Sequence, residues 1–84
     1  MILLNTAFME LKEFIQNFAD QFDETDASEI TATTAFHDLD EYSSLIALSI
    51  IAMVDEEYDV ALKGDDMKSA NTVEDLFNIV KSKL

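Results

Sequence analysis

Phe8, Leu11, Phe14, Ile15, Phe18 and Phe22 recur at steps of three and four, the spacing of one helix face. Glu10, Lys12, Glu13, Asn17 and Asp20 fall mainly on the other side, so the pattern predicts a first helix near residues 7–22. The periodicity then breaks. Asp, Glu, Thr and Ser dominate 23–43, with Ile30, Phe36 and Leu39 as isolated apolar anchors. A connection of about twenty residues is uncommon in a compact domain and usually has a job or a short element of its own. The three anchors are therefore expected to pin it onto the helices. Thr31, Thr33 and Thr34 are poor helix formers and favour extended chain.

A second helix is predicted from Ser44 to about Tyr58, with Ser43 as its N-cap, the hydroxyl accepting from the N–H of Leu45 or Ile46. Nine of the ten residues Leu45–Val54 are apolar, Ser49 being the exception. A helix apolar all round is either enclosed or turns an apolar face to something else. A chain of 84 residues can hardly surround one helix, so part of this one is expected to be a contact surface. Asp55, Glu56, Glu57 and Asp59 cluster at its C-terminal end, where each anion opposes the helix dipole by a few tenths to about 1 kcal/mol.

Val60–Lys68 reads as a connection with a turn at Gly64 and one helical turn near Asp65–Lys68. Thr72 can cap a last helix whose inward stripe is Val73, Leu76, Phe77 and Val80. Glu74 and Asp75 stand in its first turn and Lys81 and Lys83 in its last, as the dipole prefers. With no Pro and a single Gly, the chain has few breakers. The expected fold class is all-α: three main helices and one short one, with a long loop between the first two.

Charge sharpens this picture. Eighteen acids face five Lys and one His, for a net charge of −13. No Lys or Arg stands between Lys12 and Lys63, a stretch that holds thirteen acids. Such a surface repels nucleic acid and anionic membranes, and attracts basic protein patches. No apolar run approaches the roughly 18 residues that a membrane span needs. Cys is absent, which removes disulfides and thiolate chemistry and fits a cytoplasmic home.

Catalytic constellations do not emerge. His37 is alone and without Cys, so no zinc site is expected. There is no nucleophile elbow, no His–Ser pairing and no phosphate-cradling Gly-rich loop. Asp20, Asp23 and Asp26, or Asp38 and Asp40, lack the central Gly and twelfth-position Glu of a calcium loop. The expectation is a protein that is not an enzyme and holds no metal.

The order of elements, together with four local segments, resembles the acyl carrier protein family. Ile30, Thr34, Phe36, Asp38 and Leu39 are similar to that family's loop before its second helix. Ser43-Ser44-Leu45 sits where the family carries Asp-Ser-Leu. Ala52-Met53-Val54-Asp55-Glu56-Glu57-Tyr58 is similar to its hydrophobic-then-acidic helix end, and Thr72-Val73-Glu74-Asp75-Leu76 to its Thr-Val-x-x-Leu opening. The resemblance covers residues 9–84 as a single domain. Residues 1–8 are left as an extension or the start of the first helix, with Met1 or Met9 as the first residue.

The resemblance implies that a phosphopantetheinyl transferase attaches 4′-phosphopantetheine from coenzyme A to Ser44. The arm's thiol would then hold acyl or related groups as thioesters for acyl-transferring or condensing enzymes, in fatty-acid and lipid metabolism or a specialised pathway. Local physics agrees with Ser44 over Ser43: as first helical residue it would be exposed where backbone N–H groups are free and the dipole is positive.

Three departures from the family stand out. Ser43 replaces an Asp that in the family helps hold magnesium during arm transfer, leaving Asp40 or Glu41 as substitutes. Asp38-Leu39-Asp40-Glu41-Tyr42 has no Gly and is one residue longer than the usual stretch; Asp tolerates the left-handed conformation better than most residues, so the turn can survive. Ile46 and Ser49 stand where the family usually shows acids that face basic partners. These predict a dedicated partner docking on Ile46, Ser49, Ile50 and Met53, steered by Asp55, Glu56 and Glu57; the same apolar residues could instead line the core or an acyl cavity. The alternative to carriage is an unmodified acidic interaction module that keeps the fold without the arm.

Overall fold

The structure is a computed structural model and describes residues 10–84. Among these, four α-helices follow in order: α1 (Leu11–Ala19), α2 (Ser44–Tyr58), α3 (Gly64–Ser69) and α4 (Val73–Ser82). Two single-turn 3₁₀ helices, Ala27–Glu29 and Phe36–Asp38, lie in the long loop. No strand occurs among the described residues, and the expected all-α arrangement of three longer helices and one short one is what these residues form.

The first helix is shorter than its pattern predicts. Residues 7–9, Phe8 with them, lie outside the described residues, and α1 ends at Ala19. Gln21 and Phe22 donate three residues back, to Phe18 and Ala19, at 3.1 and 3.0 Å. This tightening still swings Phe22 into the core, which is why a step-of-four pattern ran past the helix. Phe14 and Phe18 are fully buried. Phe14 packs edge-on to Phe77 of α4 at 5.6 Å between ring centroids, and Phe18 to Phe36 of the loop at 5.3 Å.

The long loop is held as its anchors suggest: Ile30 and Phe36 are buried, and Leu39 packs half-buried against the core. Asp26 caps the first 3₁₀ turn, accepting from the Ser28 N–H at 3.0 Å. The threonines depart from the extended chain expected of them. Thr34 N–H donates to the Thr31 carbonyl at 3.1 Å, and its hydroxyl accepts from the Thr31 N–H at 2.8 Å, closing a turn. A threonine hydroxyl offers the backbone a local partner, which here outweighs β propensity. Among the described residues, extended pairing survives only where Ala35 bridges Thr72. Beside it, the carbonyls of Thr34 and Ala32 accept from the N–H groups of Val73 and Glu74 at 3.1 and 2.9 Å. The loop thereby satisfies the orphan donors that open α4.

Gly64 is not a turn residue as the sequence suggested. It opens α3 without a positive φ, and a Cβ placed there meets nothing within 4 Å. The left-handed position falls instead at Asp59 (φ 57°, ψ 40°), whose N–H closes α2 on the Asp55 carbonyl at 3.0 Å. At the start of α4, Thr72 and Asp75 cap each other reciprocally: the Thr72 hydroxyl accepts from the Asp75 N–H at 3.1 Å, and the Asp75 carboxylate from the Thr72 N–H at 3.0 Å.

Candidate functional site

The loop reaches α2 through a turn closed by the Tyr42 N–H on the Leu39 carbonyl at 3.0 Å. No Asp takes the left-handed form there, because Asp59 is the sole non-glycine with positive φ among the described residues. Ser43 is extended (φ −155°, ψ 178°) and caps α2, its hydroxyl accepting from the Ile46 N–H at a long 3.4 Å. Ser44 follows as the first residue of α2 and is exposed, its hydroxyl in no hydrogen bond among the described residues.

Two side chains fix the segment that delivers Ser44. Glu41 reaches back to the first part of the loop. One carboxylate oxygen accepts from the Asp23 N–H at 2.6 Å, and the other from the Glu24 N–H at 3.0 Å and from the Thr25 N–H and hydroxyl at 2.8 Å each. Loss of water pushes this carboxyl's pKa up, but the bonds from the Thr25 hydroxyl and the three backbone N–H groups outweigh that and hold it below its ordinary value. Glu41 is thus engaged in holding the loop, and of the two carboxylates proposed to replace the missing Asp before Ser44, Asp40 is the exposed one.

His37 makes the second attachment. Its Nε2 lies 2.9 Å from the Met67 carbonyl of α3, and its ring stacks on Tyr42 at 5.2 Å. Tyr42 also meets Phe36 edge-on at 5.3 Å, and its partial burial raises the phenol above its ordinary pKa. A lone histidine carried no signal of this role, because its partner is a backbone carbonyl thirty residues away.

Between this wall, α2 and α3 runs a groove of about 420 Å³. Ser44 lines its mouth, Ala47, Leu48, Ile51 and Met67 give it an apolar lining, and Lys68 stands on its α3 side.

Of the docking patch expected at Ile46, Ser49, Ile50 and Met53, two residues are buried and two are partly exposed. Ile50 and Met53 are buried in the core, Ile46 packs against it, and Ser49 is half-buried. Their near-continuous apolar stretch gave no polar positions from which to tell inside from outside. The apolar side chains that α2 turns outward are Leu45 and Leu48, 77% and 62% exposed, with the exposed Ala52 one turn on. Asp55, Glu56 and Glu57 are all exposed at the far end of α2. Among the described residues no group of three or more His, Asp or Glu side chains is placed to hold a metal ion, and no helix is long and apolar enough to cross a membrane.

An exposed hydroxyl on the first turn of a 15-residue helix, beside an open groove, is the arrangement that a bulky covalent phosphate group needs. It leaves the oxygen within reach of a second protein and offers the phosphate free backbone donors. The residues present fit such a group. In comparison with known proteins, the family model described as phosphopantetheine attachment site matches residues 12–80. No match was found among curated proteins or among solved structures.

Proposed function

The chain belongs to the phosphopantetheine attachment site family and is a carrier of covalent 4′-phosphopantetheine, and on that premise we propose that Ser44 is the attachment residue and that the cargo is an acyl or related group held as a thioester. The observation that carries the assignment is the exposed Ser44 at the first position of α2, capped by Ser43. The bound arm supplies the thiol on which thioester chemistry takes place. The chain's own part is to present and orient. Glu41 and His37 hold the loop, Ser43 starts the helix, and the dipole of α2 favours negative charge beside Ser44.

Partners are a phosphopantetheinyl transferase and acyl-transferring or condensing enzymes. Their docking surface is Leu45, Leu48 and Ala52, with Asp55, Glu56 and Glu57 steering basic rims by charge. The carrier unit is residues 9–84. Non-acidic positions at Ile46 and Ser49 favour a dedicated acyl pathway over general fatty-acid synthesis.

Incubation with coenzyme A and a phosphopantetheinyl transferase, read by intact mass, tests this. The protein and Ser43→Ala should gain the mass of one phosphopantetheine, and Ser44→Ala should gain none. The second reading, an unmodified acidic interaction module, is favoured by Ser43 standing where the family has Asp. A mass that never rises with any transferase tried, including one from the same gene neighbourhood, would select it.

A further inference from the structure

The thirteen residues Tyr42–Val54 carry no charged side chain, although the whole chain stands at −13. No acid therefore stands on α2 before Asp55. Of the acids and lysines, only Lys68 lines the groove that Ser44 lines. Its ammonium is uncommitted: the one ion pair among the described residues joins Lys83 to Asp66 at 3.6 Å. Adding a further permanent anion to so acidic a chain is opposed by the chain's own field, and a cation at the same groove offsets that locally. Lysine suits the task, being a compact charge on a flexible stem that binds phosphate without demanding one geometry.

We propose, resting on the reading of Ser44 as the attachment residue, that Lys68 is the protein's own counter-ion for the phosphodiester formed there. It draws the start of the arm against the groove lining of Ala47, Ile51 and Met67. Lys68 also stands in the last turn of α3, where a cation complements the helix dipole. That role acts on the unmodified and modified protein alike, so the difference between the two forms isolates the contact with the arm.

The test uses the protein, Lys68→Met and Lys68→Arg, each unmodified and modified, with intact mass confirming one arm on Ser44. At low ionic strength, modification should raise the melting temperature of the wild type by about 1–8 °C more than that of Lys68→Met. Lys68→Arg should keep the increment, and added salt should shrink it. The ³¹P resonance of the modified protein should move in Lys68→Met and stay near its place in Lys68→Arg. Equal increments and an unmoved ³¹P resonance in Lys68→Met would overturn the inference while leaving Ser44 in place. A mass that never rises at Ser44 would overturn both.

Discussion

Leu45 follows the proposed attachment serine and leaves 77% of its surface exposed, so folding makes little use of it. Burying a leucine side chain completely is worth about 1.5–3 kcal/mol. Scaled by the exposed share, about 1–2 kcal/mol remains to be realised against a partner, equivalent to a factor of about five to thirty in affinity. Leu45→Ala keeps helix propensity and should leave stability within about 0.5 kcal/mol of wild type. It should also raise the KM for a phosphopantetheinyl transferase by up to that factor, with kcat little changed. Ile50→Ala is the control. Ile50 is fully buried, and its truncation should cost about 2–5 kcal/mol, out of a total of about 4–13 kcal/mol for a domain of this length. Thermal melts and transferase kinetics on the same preparations check both. If Leu45→Ala unfolds as readily as Ile50→Ala, or leaves KM untouched, the assignment of inner and outer faces to α2 is wrong.

The Glu41 latch predicts a pH dependence. Its carboxyl is held below its ordinary pKa in the folded protein, so it contributes stability above the unfolded carboxylate range and loses it as pH falls through the folded value. The melting-temperature gap between wild type and Glu41→Gln should therefore be full near neutrality and close on acidification below about pH 4.5. A gap that widens in acid would contradict the latch; relief of repulsion among the other acids acts on both proteins alike. At Gly64, where an added Cβ meets nothing within 4 Å and the backbone is helical, Gly64→Ala should stabilise by about 0.4–1 kcal/mol in a urea titration.

Where the chain alternates clearly between apolar and polar, its pattern was enough. The inward stripes of α1 and α4, the anchors Ile30 and Phe36, and the Thr72 cap all lie where periodicity and capping chemistry put them. Three features were beyond such reading, each for a physical reason. The threonine turn rests on side-chain-to-backbone bonds that compete with β propensity. The left-handed residue fell at Asp59 and not at Gly64, because the last turn of α2, and not the residue type, decides where the backbone must reverse. The Glu41 and His37 attachments join a side chain to backbone groups 16–18 and 30 residues away, and backbone partners leave no mark on composition.

The same distinction explains α2. A helix with one apolar face serves one purpose, whereas this helix has three. Ile50 and Val54 point into the core, Ala47 and Ile51 line the groove beside Ser44, and Leu45 and Leu48 reach outward. Each demand by itself requires only a stripe. Together they take up almost the whole circumference, which is why the stretch is apolar all round and why its hydropathy alone could not separate the faces. On the proposed reading of Ser44, an arm that alternates between shelter and presentation would use both the groove and the outward leucines at one helix start. On this view an acid at Ile46 would not restore a familiar docking face, because that side chain packs against the core, whereas an acid at Leu48 would disturb groove and surface together while leaving the core intact.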